Sequence, residues 1–134
     1  MIVADANLIG CFFIAGENSP LATQVFVKDP DWYAPLLWQS EVRSIVAKYF
    51  RFKNMTLEKS QQIMNEAHDL MIEHERFVSS NVVLELMASS KCTSYDCEYV
   101  ALAKEMNITL ITFDKEVVRD FPQIAVFPQD FINI

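Results

Sequence analysis

The 134-residue chain is 51% hydrophobic and 22% charged, which excludes disordered, collagen-like and coiled-coil proteins and fits one domain burying about two-thirds of its unfolded surface. Eleven basic against eighteen acidic side chains leave a net charge of −7 at pH 7. That is the wrong sign for a broad Lys/Arg surface, so any hold on nucleic acid must be local or assisted by a cation.

Met1 to Ala4 reads as a short buried strand ending at Asp5-Ala6-Asn7, residues suited to a turn or helix cap. The apolar run Leu8 to Ala15 lacks the basic leader of a signal segment and is too short to span a bilayer, so the expectation is a cytoplasmic protein with no membrane contact. Ser19-Pro20 opens a helix through Lys28, Asp29-Pro30-Asp31 breaks it, and Trp32 to Ala34 forms a brief strand. Helical spacing of apolar residues returns from Pro35 to about Lys53, and a second helix runs from Thr56 to about Glu75. Phe77 to Ser79 is expected to be extended, Ser80 to Ser90 helical, and Tyr95 to Met106 helical. The β-branched run Ile108 to Phe113 closes on Asp114, a short helix spans Lys115 to Phe121, and Ile124 to Phe127 is a last strand. The alternation predicts a single α/β domain over residues 1–134, a three-layer sandwich with a small central parallel sheet flanked by helices.

With two glycines, Gly10 and Gly16, no glycine-rich phosphate loop can be drawn. The cysteines Cys11, Cys92 and Cys97 form no C-x-x-C and have no nearby histidine pair, which points to reduced thiols. Four acids sit where chemistry collects in parallel sheets, at the carboxyl ends of strands and the starts of helices. Asp5 and Asp114 close two strands; Glu41 extends the apolar stripe of Ile45 and Tyr49; Asp96 begins a helix that is apolar nearly all round. Carboxylates crowded into one cleft repel one another unless a divalent cation intervenes, and oxygen-only donors select Mg²⁺ or Mn²⁺. That combination describes metal-assisted phosphodiester hydrolysis.

Val3-Ala4-Asp5-Ala6-Asn7, Ser40-Glu41-Val42, Ser94 to Ala103 around Asp96, and Leu110-Ile111-Thr112-Phe113-Asp114 follow one another in an order that resembles the PIN-domain nucleases. In size and order the chain looks most like the toxin ribonucleases of bacterial toxin-antitoxin pairs. The resemblance implies that Asp5, Glu41, Asp96 and Asp114 are catalytic and bind Mg²⁺ or Mn²⁺, and that Asn7 and Thr112 orient carboxylates or water. It implies cleavage of RNA, a homodimer, and a small antitoxin whose segment covers the cleft.

Each acid also has a structural reading. Asp5 suits a cap on the turn after its strand, Asp114 suits the N-cap of the Lys115 helix, Thr93 to Asp96 fits a capping box, and Glu41 suits a first helical turn with Arg43 as a partner. Glu98 is expected to turn away to solvent, Glu116 is a candidate peripheral ligand, and His68 and His74 fit surface or boundary sites. Two other functions fit the composition. A noncatalytic module could dock a basic protein segment on the acidic edge. A Mg²⁺-dependent phosphatase of the haloacid-dehalogenase type expects D-x-D, where this chain has Asp5-Ala6-Asn7.

Overall fold

The computed structural model describes residues 1–134. Strands β1 (Ile2–Ala4), β2 (Trp32–Pro35), β3 (Glu75–Arg76), β4 (Thr109–Ile111) and β5 (Ala125–Val126) form one parallel sheet in the order β3-β2-β1-β4-β5. Helices α1 (Ala6–Phe13), α2 (Ser19–Lys28), α3 (Trp38–Phe52), α4 (Leu57–Met71), α5 (Ser80–Ala88), α6 (Ser94–Met106), α7 (Lys115–Asp120) and α8 (Pro128–Ile132) flank it. This is the expected α/β architecture. None of the helices is long and apolar enough to cross a membrane.

The central strands β1 and β4 are short and mostly apolar because helices cover both faces of a parallel sheet. All three residues of β1 are buried, and Val3 and Ala4 lie beside Leu110 and Ile111 of β4. Helix α6 packs against β1, β2 and β4, which explains why its apolar residues surround it: Cys97, Tyr99, Val100, Ala101, Leu102 and Ala103 are all buried. Helix α1 approaches α3 at Gly10, where an added Cβ would meet Ile45 at 3.4 Å.

Strand order fixes where polar loops converge. From β1 the chain steps outward to β2 and β3, then crosses back to place β4 on the other side of β1. The crevice between β1 and β4 at their carboxyl ends is the switch point, the place where open α/β sheets bind ligands.

Several elements differ from the sequence expectation. The run after Asp5 is a helix, α1, capped by the Asp5 carboxylate accepting from the Leu8 amide at 2.7 Å. Its Ala6, Leu8, Ile9 and Gly10 are buried, and at eight residues within a continuous apolar run it is too short for its buried face to stand out as a helical stripe. Helix α4 ends at Met71 rather than near Glu75, and the extended piece expected at Phe77 to Ser79 is strand β3 at Glu75–Arg76. Pairing with β2 places it there: the Ala34 amide donates to the His74 carbonyl and the Leu36 amide to the Arg76 carbonyl. The closing turn α8 starts on Pro128 and is tied to α2 by Lys28, whose ammonium donates to the Phe131 and Ile134 carbonyls.

Candidate active site

Asp5 leaves β1 at the switch point and is held on two sides. Its Oδ1 caps α1 through Leu8, and its Oδ2 accepts from the Thr112 hydroxyl. Thr112, 1% exposed just beyond β4, also accepts from the Asp114 amide at 3.0 Å. One threonine therefore ties the ends of two neighbouring strands. Burial pushes the Asp5 carboxyl up to about 6, against the two hydrogen bonds that favour its ionised form; the charges of Asp114 and Glu41 push it further up.

The other three acids reach the same cleft from separate elements. Asp114 caps α7, its Oδ1 accepting from the amides of Glu116 at 2.8 Å and Val117 at 3.3 Å. Asp96 closes a capping box: its Oδ2 accepts from the Thr93 amide at 3.3 Å while the Asp96 amide donates to the Thr93 hydroxyl at 3.1 Å. Glu41, in the first turn of α3, accepts through Oε1 from the Tyr99 hydroxyl at 2.6 Å. Asp5, Asn7, Glu41, Asp96, Thr112 and Asp114 all line one small cleft of about 50 Å³. The capping readings and the cleft are thus compatible. Asp96, Asp114 and Glu41 each commit one oxygen to orientation and leave the other free of hydrogen bonds within the chain.

Tyr99 is the site residue that sequence reasoning missed. It lies three residues after Asp96, on the same face of α6, and a periodicity argument assigns it to the core, where its ring indeed is. Burial first, and then its hydrogen bond to Glu41, raise its phenol far above the usual range, so it stays a neutral donor at any working pH. Tyr99, and not Arg43, is the partner of Glu41; Arg43 lines a separate groove between α3 and α4. Glu98 is half-buried rather than turned away to solvent, and burial followed by the charge of Glu41 raises its carboxyl. Glu116 is exposed and does not line the cleft. Asn7 lines the cleft from an exposed position with no hydrogen bond to any carboxylate. His68 packs on Trp38 and His74 on Tyr33, both away from the cleft. Cys97 is fully buried, and burial raises its thiol, which removes it as a nucleophile.

The cleft concentrates negative charge with oxygen donors only, and no cation of the chain lines it. No three acidic, histidine or cysteine side chains stand close enough to cage an ion by direct ligation. The donor set fits a hydrated hard cation, which takes one or two carboxylates directly and meets the rest through its own waters.

The PIN domain family model matches residues 2–125, and the chain belongs to the PIN domain family. Such domains are typically nucleases. Among solved structures, PAE2754 from Pyrobaculum aerophilum is similar at a TM-score of 0.77 and 14% identity, over 98% of this chain and 93% of that one. A toxin-antitoxin complex from Klebsiella pneumoniae is similar at 0.71 and 21%, over 96% and 98%. VapC20 of Mycobacterium tuberculosis, a sarcin-ricin loop cleaving toxin, is similar at 0.66 and 12%, over 89% and 94%. These likenesses show the fold. No curated protein sequence matches the chain.

Proposed function

We propose that the protein is a divalent-metal-dependent endoribonuclease and the toxin of a toxin-antitoxin pair. The observation that carries the reading is the convergence of Asp5, Glu41, Asp96 and Asp114, from four separate elements, on one cleft at the sheet's switch point. In this reading Asp5, Asp96 and Asp114 hold Mg²⁺ or Mn²⁺, and Glu41 holds or bridges to a second ion. When bound, the cation lowers the pKa of a water and neutralises charge on the phosphate oxygens.

The chain's own residues supply position. Thr112 and the Leu8 amide hold Asp5 in one rotamer, the capping box fixes Asp96, and Tyr99 fixes Glu41. Preorganised carboxylates need no rearrangement when the substrate arrives. Asn7, exposed beside Asp5, is free to orient water. No protein nucleophile is required.

The Klebsiella neighbour, solved as a toxin-antitoxin complex, and VapC20, described as a toxin, support the toxin role and an antitoxin partner; a cytoplasmic setting belongs to the same proposal. The homodimer implied by the resemblance belongs to the same proposal.

The test is cleavage of single-stranded RNA by the purified protein with Mg²⁺ or Mn²⁺, its loss in EDTA, and its loss in Asp96→Asn. A folded, metal-loaded protein inactive on every RNA overturns the reading in favour of the docking module. Turnover of a small phosphate ester by the same protein overturns it in favour of the phosphatase.

A further inference from the structure

A second cavity, of about 560 Å³, adjoins the acidic cleft and shares Ala6, Asn7 and Glu41 with it. One of its walls is a single stripe of α3, because Glu41, Ser44, Ile45 and Lys48 recur at helical spacing. Opposite in sequence, at the first turn of α6, stands Tyr95, the residue directly before Asp96. It is 58% exposed, although Cys97 and Tyr99 to Ala103 of the same helix lie in the core. Lys48 is the one Lys or Arg lining either cavity. An aromatic ring, a cation and the serine hydroxyls of Ser40 and Ser44 thus border a space continuous with the carboxylates.

The geometry points to this cavity as a subsite for single-stranded RNA, in which the nucleotide next to the scissile phosphate stacks its base on Tyr95 and the following phosphate meets Lys48. The inference rests on the nuclease reading and deepens it. Seven residues of helix place the Lys48 backbone about 10 Å along α3 from that of Glu41, and Lys48 lines the second cavity without lining the acidic cleft, which suits it to a phosphate next to the reacting one. A base that stacks on a side chain must be unpaired, which selects single strands over duplex. The chain's net charge of −7 leaves affinity to stacking and one local cation, so binding should respond only weakly to salt. A single phosphate contact on a single strand gives a slope of about −0.7 in log K against log salt concentration.

The experiment measures fluorescence anisotropy of short labelled oligouridylate and oligoadenylate on an Asp96→Asn background, which binds without cutting, alongside steady-state cleavage in the wild-type background. Tyr95→Ala should weaken binding roughly five- to 150-fold, the range for one lost base-aromatic stack, and raise KM more than it lowers kcat. Tyr95→Phe should restore both. Lys48→Gln should remove most of the salt slope and Lys48→Arg should restore it, while Lys59→Ala on α4, an equal change of charge, leaves both quantities alone. Thermal melts check that each variant folds. If the wild type cuts RNA while Tyr95→Ala and Lys48→Gln bind and cut as it does, the subsite is refuted and the nuclease reading stands. A duplex bound as tightly as a single strand, with the same response to Tyr95→Ala, also refutes it. A wild type that neither binds nor cuts RNA overturns both.

Discussion

Ionising Asp5 in the folded protein works against the fold, and the size of that effect follows from its surroundings. The carboxyl is pushed from 3.8 to about 6 by burial and by Asp114 and Glu41, so its ionisation costs the native state about 3 kcal/mol relative to the unfolded chain at pH 7. Because the folded value is the higher one, the native state binds more protons between the two values. Stability from this group is fully present below about pH 4 and is lost as pH rises through about 6. Asp5→Asn keeps an oxygen for the Leu8 amide and can donate to the Thr112 hydroxyl, but it cannot ionise. In EDTA, the stability of Asp5→Asn relative to wild type should therefore grow by about 2 kcal/mol between pH 4 and pH 7. In thermal terms that is roughly 8 °C for a chain of this size. Urea unfolding or calorimetry at both pH values measures the double difference, in which any packing change made by the amide cancels. A difference between the two proteins that is the same at pH 4 and pH 7 refutes the account of Asp5 as a buried, crowded carboxyl.

Adding Mn²⁺ at pH 7 should reverse that order: a ligand present at about 100 times its dissociation constant stabilises wild type by about 2.7 kcal/mol, and Asp5→Asn should gain far less. Equal shifts in calorimetry would show that Asp5 does not take part in binding. Thr112→Val removes the hydroxyl that Asp5 and the Asp114 amide share, and the buried partners left behind should lower stability by about 1–3 kcal/mol in denaturant unfolding. Tyr99→Phe keeps the ring in the core but frees Glu41; RNA cleavage should fall at least tenfold with a melting temperature within a few degrees of wild type, and unchanged kcat would show that Glu41 needs no such hold. Thr93→Ala opens the capping box, lowering stability by about 1 kcal/mol and loosening Asp96, which the same melts and cleavage assays read together.

Helix starts were legible in the sequence because their causes are local. Thr93 and Asp96 are three residues apart, as are Asp5 and Leu8, so a cap is decided within one turn of chain. Asp96 and Asp114 were readable in capping positions, Asp5 as a turn or helix cap and Thr56 as the start of α4, whereas α5 is capped by Ser79, one residue before the Ser80-Asn81 pair that the sequence suggests. Strand β1 was readable as a continuous apolar run, since a strand covered on both faces has no polar side. Helix α1 escaped because eight residues inside an apolar run carry too few polar positions to mark a helical stripe.

What the sequence by itself determined is the set of acids and the local turns that hold Asp5, Asp96 and Asp114. Only the tertiary structure decided which of them meet. The hydrogen bond from Thr112 to Asp5 joins residues 107 apart, and that from Tyr99 to Glu41 joins residues 58 apart. Both depend on the crossover that seats β4 beside β1 and lays α6 across the sheet. The raised carboxyls of Asp5 and Glu98 depend on it too, since burial and the charge of a distant acid act through space and not along the chain.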